Sequence, residues 1–322
     1  MVAHLRWGIL GGSNFAANHM APAIHAAQGA DFAGLATSSS EKAARFTRFS
    51  PHTRIYDSYD ALLASDEIDA VYIPLPNHLH VDWSLKAIDS GKHVLCEKPM
   101  TLHADEFDML IAARDASGLV VAEAYMIVHH PQFQRARDLV QGGAIGTLRH
   151  VDAVFTYFND DAANIRNQVD TGGGGLPDIG VYILGAARFV TGQEPTSVPY
   201  AKITMENGVD TFVHLAAEFP GFSYSGIVSM RAFPRQEVVF HGEKGVLRLS
   251  CPFNANAHDQ AELHLETEGK TVTTERFPGI NQYVLQVEAF GAAVHENAAY
   301  ACPLEFSKGT QAMIDMTYVA GG

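Results

Sequence analysis

"WGILGGSNFAANHMAPAI", residues 7–24, passes from an apolar run into paired glycines and out into a helix-patterned stretch. A strand, a tight glycine turn and a helix in that order open a parallel α/β sheet, and the helix N-terminus beside the turn points N–H groups at a phosphate. The spacing departs from G-x-G-x-x-G, because Gly11 and Gly12 are followed by Ser13, Asn14, Phe15 and Ala16. A serine and an alanine therefore hold the second and third glycine positions. An ordinary strand-to-helix connection would look the same, and it is the place of this turn at the head of an α/β half that favours a nucleotide.

Outward from this turn, short apolar runs alternate with helical patterns as far as about Glu123. "LRWGIL", "DFAGLAT", "AVYIPLP", "KHVLCE" and "LVVAEA" read as strands, while "NHLHVDWSLKAIDSG" and "TLHADEFDMLIAARDASG" read as amphipathic helices closed by glycine. That alternation predicts an α/β fold whose N-terminal half is a doubly wound parallel Rossmann sheet. After Ile145 the rhythm becomes strand, turn, strand: "TLRHVDAVFTYF", "SVPYAKITME", "DTFVHLAAEF", "FSYSGIVSM", "QEVVFHG", "GVLRLSC", "AELHLETEG" and "KTVTTERF". A C-terminal α+β domain with a large, mostly antiparallel open sheet follows, closed by helices near Gln282–His295 and Phe306–Tyr318. With 322 residues, 47% of them hydrophobic, the chain is long enough for two cores. The expected division is a dinucleotide-binding domain over 1–124 and a substrate-binding and oligomerisation domain over 125–322.

A net charge of -14, from 22 Lys+Arg against 36 Asp+Glu, argues against a broad nucleic-acid or anionic-membrane surface. A small molecule is the expected partner. No run approaches the ~18 apolar residues that cross a bilayer, and Cys96, Cys251 and Cys302 fit neither a disulfide framework nor a zinc knuckle. The setting expected is the cytoplasm. Sixteen histidines, with His78 and His80 in "NHLH" and His129 and His130 adjacent, raise the question of a metal, but no H-E-x-x-H or C-x-x-C spacing accompanies them. No metal is expected.

Three stretches carry chemistry. "LATSSSEKAARF" ends the second strand in Thr37, Ser38 and Ser39 without a carboxylate, with Lys42 and Arg45 following. Hydroxyls in place of the usual acidic residue suit NADP over NAD, although Ser39 or Ser40 would equally serve as a helix cap. "VLCEKPM", residues 94–100, sets Glu97, Lys98 and Pro99 at the carboxyl end of a strand, the edge where such sheets bind ligands. A lysine desolvated there moves toward a neutral pKa and becomes a proton donor or acceptor. "NIRNQVDTGGGGLPDIGVYILGAARFVTG", residues 164–192, holds Arg166, four successive glycines, and Asp178 and Tyr182 four positions apart on a helix, facing the same way. The glycines read either as room for a flat ligand or as a flexible loop. Arg166 reads as a hydroxyl-binding substrate contact or as a surface arginine.

Together, the opening turn, "YIPLPNHLH", "KHVLCEKP", "EAYMIVHHPQ" and "GGGGLPDIGVY" resemble the glucose-fructose oxidoreductase, inositol dehydrogenase and rhizopine-catabolism oxidoreductase (Gfo/Idh/MocA) family across nearly the whole chain. The resemblance implies hydride exchange between NAD(P) and a sugar, polyol or related alcohol, in a homodimer or homotetramer. It makes Lys98, Asp178 and Tyr182 catalytic, with Tyr182 at the acid/base position, as in the branch with dimeric dihydrodiol dehydrogenases and aldose 1-dehydrogenases. Cofactor contacts would come from Gly11, Gly12, Ser13, Asn14, Phe15, Ser38, Pro76, Asn77, His80, Glu97 and Lys98, and substrate contacts from Arg166 and Tyr125. Val128 stands where many relatives carry arginine, and Pro177 where a larger apolar residue is common. An open sheet face with Phe212, Leu215 and Ala217 would be covered by a second copy. A non-catalytic NAD(P)-binding regulator is the competing reading; such relatives tend to lose the lysine or the acid/base residue, and both are present here.

Overall fold

A computed structural model describes residues 4–322. The chain divides into two compact units: the first takes it up to Thr101 and adds Asp105–Met126 and Asn281–Ser307, and the second holds Leu102–Ala104, Ile127–Ile280 and Lys308–Gly322. A division at 124/125 would leave Asn281–Ser307 with the second domain. The structure groups it with the first because Val287 and Phe290 are buried in the core of that unit, where the Phe290 ring lies 5.0 Å from that of Trp7.

In the first unit, β1 (Leu5–Leu10), β2 (Ala30–Ala36), β3 (Arg54–Tyr56), β4 (Ala70–Ile73), β5 (His93–Glu97) and β6 (Val121–Ala124) form one six-stranded sheet in the order β3-β2-β1-β4-β5-β6. Every pairing is parallel. The expected strands are all present, and β3 joins them; its three residues are too short a run to stand out from turn sequence. Because successive side chains alternate, Ala70 and Tyr72 of β4 enter one core with Trp7, Ile9 and Leu95, while Val71 and Ile73 enter the other with Leu10, Val94 and Cys96. Helices therefore cover both faces: α1 (Ala21–Ala26), α2 (Ser40–Thr47) and α8 (Gln282–Glu296) supply buried residues to the first core, and α3 (Tyr59–Leu63), α4 (His80–Asp89) and α5 (Phe107–Ser117) to the second. The glycines expected to stop α4 and α5 do so, Gly91 and Gly118 having left-handed φ of 72° and 69°. Strand order reverses beside β1, which opens the crevice in which such sheets take ligands.

The second unit is built on β7 (Leu148–Phe158), β8 (Ser197–Glu206), β9 (Val209–Phe219), β10 (Phe222–Ser229), β11 (Arg231–Gly242), β12 (Gly245–Leu249), β13 (Glu262–Thr267) and β14 (Thr271–Arg276), ordered β14-β13-β12-β11-β7-β10-β9-β8. All pairs are antiparallel except β7 with β10, so the sheet is mostly antiparallel as expected. Among the described residues, α6 (Pro131–Gln141) and α7 (Val181–Thr191) are the helices of the unit's central segment, and α9 (Leu304–Gly321) ends the chain. The expectation that Phe212, Leu215 and Ala217 share the open face is corrected. Leu215 and Ala217 are 0% and 1% exposed, while Phe212, of opposite parity, sits on the other face with His214 and, across from it on β8, Thr204. The period of two admits no other outcome.

His130 starts α6: its Nδ1 accepts the Gln132 N–H at 3.1 Å. Burial pushes its pKa down to about 4, and burial does the same to His129. Each histidine titrates near ~6.5 when unfolded, so the folded chain binds fewer protons, and the stability present above pH ~6.5 is lost as pH falls toward about 4. We expect a loss of roughly 1.4 kcal/mol per pH unit per histidine across that window, measured by urea unfolding. His130→Asn keeps a capping oxygen without a titrating ring, and should flatten the dependence.

Candidate active site

The glycine turn of the first unit has the build of a phosphate cradle. Gly11 has φ +101°, which L side chains rarely adopt, and its N–H is held by Ala36 O at 3.0 Å. Ser13 Oγ accepts the Ala16 N–H at 3.0 Å, so the serine in the second glycine position caps the helix that follows. Among the described residues, the N–H groups of Gly12 and Ser13 have no protein acceptor. A cleft of about 490 Å³ opens beside them, lined also by Thr37, Ser38, Ser39, Lys42 and Pro76. A Cβ on Gly12 would lie 3.1 Å from Lys42 Cβ, so the absent side chain is what leaves room between turn and α2. Unpaired amides, a helix start and a cleft of this size fit the diphosphate end of a dinucleotide.

Of the two readings of the serine tip, the cap is present: Ser39 caps α2, its Oγ accepting the Lys42 N–H at 3.2 Å, and it also lines the cleft. Ser38 is exposed beside it. Arg45 is turned elsewhere, donating to Asn14 Oδ1 at 2.5 Å and Asn18 Oδ1 at 3.1 Å. Phe15 packs against His19 and Tyr283, with ring centroids 5.0 and 5.6 Å away. Sequence reasoning missed the far wall of the cleft. Tyr59 and Trp83 meet edge to face at 4.9 Å, and Lys86 Nζ lies 4.1 Å from the Trp83 ring, with Asp57 and Asp60 nearby on the lining. Aromatic residues in "SYDALL" and "HVDWSL" look like ordinary amphipathic-helix positions, so no local signal marks them.

At the end of β5, Glu97 Oε1 accepts the Tyr72 hydroxyl at 2.5 Å and Oε2 accepts the Lys98 N–H at 3.3 Å. Burial raises the Glu97 pKa, while the Lys98 charge and the Tyr72 hydrogen bond oppose the rise. Glu97 is thus committed to holding the backbone at Lys98, whose side chain is partly exposed. The Lys98–Pro99 peptide bond is cis. His80 is fully buried, its Nδ1 2.7 Å from Pro99 O and its Nε2 2.8 Å from Leu75 O. It ties the loop after β4 to the loop after β5. Burial pushes its pKa down to about 4 against the pull of the two carbonyls. Pro76 and Asn77 lead into the same helix start. Tyr125, just past β6, is 1% exposed, its ring 6.1 Å from that of Phe306.

The second unit gathers Tyr157, Arg166, Asp178 and Tyr182. Tyr157 Oη donates to Asp178 Oδ2 at 2.6 Å, and Arg166 Nε lies 2.9 Å from Asp178 Oδ1. Asp178 belongs to a π-helical turn, Leu176–Gly180, that runs directly into α7 and Tyr182. Tyr182 is 6% exposed, its ring 5.8 Å from Phe155 and 5.7 Å from Phe253. Neither reading of the glycine run describes it. The Gly174 N–H bonds Arg166 O at 2.9 Å, and a Cβ on Gly173 would fall 2.6–2.7 Å from the carbonyls of Ile165, Arg166 and Gln168. The loop folds onto itself too closely for side chains. Buried Asp210 completes it, accepting the Leu176 N–H and the Tyr318 hydroxyl, both at 2.7 Å. Val128 is fully buried, and Pro177 lies in the first turn of the Leu176–Gly180 segment. Among the described residues, no group of three or more His, Cys, Asp or Glu side chains is placed to hold a metal ion.

With a doubly wound sheet, a glycine turn at its head and a lysine directly after its fifth strand, the first unit is that of a dinucleotide-dependent oxidoreductase. Residues 5–125 match the model of the Gfo/Idh/MocA oxidoreductase family with its NAD-binding Rossmann fold, and residues 133–248 match the Gfo/Idh/MocA C-terminal domain. The chain belongs to this family. It is 38% identical to an uncharacterized oxidoreductase of Rhizobium meliloti, over 97% of this chain and 95% of that one. It is 33% identical to D-xylose 1-dehydrogenase (NADP(+)) 2 of Haloferax volcanii, over 98% of this chain and 96% of that one. Among solved structures it resembles KijD10, a 3-ketoreductase from Actinomadura kijaniata in complex with NADP and TDP-benzene, with a TM-score of 0.90, 30% identity and 98% of each chain covered. That ketoreductase has also been solved as a tyrosine-to-phenylalanine and as a lysine-to-alanine mutant.

The histidine tie gives a structural test. His80→Ala would leave the Leu75 and Pro99 carbonyls without their partner and open a cavity, and we expect a loss of about 2–4 kcal/mol in urea unfolding.

Proposed function

We propose that the protein transfers a hydride between NADP and a carbinol carbon of a neutral sugar or polyol, with Tyr182 carrying the hydroxyl proton and Lys98 assisting it. The observation that carries this reading is the placement of Asp178 in the turn that runs into α7 and of Tyr182 in the first turn of α7, in a chain whose β5 is followed directly by Lys98. The mutated lysine and tyrosine of the Actinomadura ketoreductase are separated by the same sequence interval as Lys98 and Tyr182. NADP is favoured by Ser38, Ser39 and Lys42 on the cleft and by the lack of a carboxylate at the end of β2.

When bound, the nicotinamide accepts or returns the hydride. The glycine turn and the α2 start would hold phosphates, and Glu97 and His80 fix the backbone on either side of Lys98. A phenol near pH ~10 is a poor base unless a cation stabilises its phenolate, which is the part assigned to Lys98. Phe155 and Phe253 pack against the buried Tyr182 ring. Asp178, engaged at both oxygens, orients its surroundings and is not the proton acceptor. Arg166, partly exposed beyond its bond to Asp178, and Tyr125 are assigned to the substrate. The Arg166 charge is already balanced by Asp178, and a balanced guanidinium suits hydroxyl acceptors better than a phosphate or carboxylate. A neutral aldose or polyol follows.

Aldoses, inositols and anhydro-sugars assayed for NADPH absorbance change test this directly; no turnover on any of them would favour the non-catalytic sensor. Tyr182→Phe and Lys98→Ala should each lower kcat by roughly 10²-fold or more with little change in NADP affinity. Near-normal turnover by Tyr182→Phe would send the proton by another route. By fluorescence quenching, NADP should bind at least about tenfold more tightly than NAD, a gap of ~1.4 kcal/mol. An NAD preference of that size would reverse the cofactor assignment.

The same reading includes self-association through the open face of the second sheet, where Tyr200 is 47% exposed and Phe212 faces solvent in part. Sedimentation should give a dimer or tetramer at micromolar concentration, and a 34.9 kDa species would overturn this. Three buried cysteines, none of them in a disulfide among the described residues, support a cytoplasmic setting. Among the described residues, no helix is long and apolar enough to cross a membrane.

A further inference from the structure

Two tyrosines interact electrostatically with Arg166, the ion-pair partner of Asp178, and their situations differ. Tyr157, on β7, is bonded to it, its hydroxyl 2.6 Å from Oδ2. Tyr182, on α7, lies on the same helical path one turn beyond. Arg166 takes the other oxygen through Nε, at 2.9 Å. Its position is set by the backbone, since its N–H donates to Asn164 Oδ1 at 3.1 Å and its carbonyl receives the Gly174 N–H at 2.9 Å. The Asp178 N–H bonds Gly174 O at 3.1 Å, so the glycine run fixes both ends of the ion pair.

We propose that Tyr157 is a positioning residue of the reaction: with Arg166 it locks Asp178 in place and favours its carboxylate form, which reserves the proton-carrying role in this unit for Tyr182. The proposal rests on the assignment of Asp178 and Tyr182 to the reaction. A carboxylate that accepts an O–H on one oxygen and a guanidinium N–H on the other must give up one of those bonds to take a proton, so both donors favour its charged form. The effect on the donors is reciprocal. Burial and the Asp178 charge push the Tyr157 hydroxyl well above the usual phenol range, and the Asp178 charge is the largest cause raising the Arg166 guanidinium. Tyr157 therefore keeps its proton. Arg166, from the turn Ile165–Asn167, interacts electrostatically with Asp178 and with both phenols, Tyr157 from β7 and Tyr182 from α7. A cation near Tyr182 assists phenolate formation there.

The test uses the full chain as Tyr157→Phe, Arg166→Lys and Arg166→Gln, with melting curves to establish folding. Carboxyl carbons of 13C-labelled aspartate are followed by NMR against pH, Asp178→Asn identifying the signal, and pH profiles of kcat/KM are recorded in parallel. In Tyr157→Phe the Asp178 titration should move up by about one pH unit or more, carrying the acid limb of kcat/KM with it, while kcat falls about tenfold and KM stays within about twofold. Arg166→Lys should retain more of both properties than Arg166→Gln. The proposal is overturned if folded Tyr157→Phe leaves the Asp178 titration and the acid limb where they are in the parent. Should that variant melt early, Arg166→Lys against Arg166→Gln decides by the same readouts, equal titrations of the two overturning the proposal. The NMR arm needs no substrate, so an inactive parent enzyme would refute the proposed function while the lock is still measured.

Discussion

All six strands of the first sheet run in one direction, so all of them end at one edge. That polarity is the constraint on which the cleft of the first unit depends. Gly11 after β1, Thr37 after β2, Pro74 after β4 and Lys98 after β5 are far apart in the chain, yet parallel pairing brings each of these strand ends to the same rim. The edge alone does not fix a side chain. Fixing comes from short ties between neighbouring loops: His80 between Leu75 and Pro99, Tyr72 on Glu97, and Arg45 on Asn14 and Asn18. Each tie spends a titratable side chain on its neighbours, so several residues read from the sequence as ligand contacts also hold the residues beside them.

The second unit reaches rigidity by a different route. Four glycines in a row cost roughly 0.5–1 kcal/mol each in backbone entropy relative to alanine, a price a mobile loop would have no reason to bear. Here the cost is offset by a closed hydrogen-bonded loop, with the Gly173 and Gly174 N–H groups on the Gln168 and Arg166 carbonyls and Asp210 on the Leu176 N–H. Hydrogen bonds to a charged carboxylate contribute about 1.5–3 kcal/mol, enough to outweigh the entropy of more than one glycine. The outcome is a helix start whose first turn carries Asp178 in a set position. Stacking of Phe155 on Phe253 at 4.9 Å then confines Tyr182 from the side.

Charge is distributed sparingly around these groups. In a chain of net charge -14, Arg166 is matched at once by Asp178, while buried Arg188 is matched by Glu194 at 2.6 Å. Cations that are neutralised locally do not attract anions from a distance, and they act on what is already bound by directional hydrogen bonds. This favours a substrate rich in hydroxyls. It also leaves the cleft beside the glycine turn, with its free amides and Lys42, as the place in the first unit fitted to phosphate.

Much of this was legible in the chain itself. The alternation of apolar runs and helical patterns predicted the parallel sheet, Gly91 and Gly118 marked helix ends, and Lys98, Asp178 and Tyr182 stood out because their neighbours in sequence are specific to one family. These properties are local: strand and helix periods, turn residues and short motifs are all written within a few residues of one another. What the sequence left open is non-local. Nothing near Tyr157 shows that its hydroxyl meets Asp178, 21 positions away; nothing in "GGGG" says whether it yields to a ligand or folds onto its own carbonyls; and the face of β9 that carries Leu215 is set by the parity of a strand whose register depends on β8 and β10. Hydrogen bonds and burial depend on separations of a few ångströms between residues remote in the chain, and only the tertiary fold decides those distances.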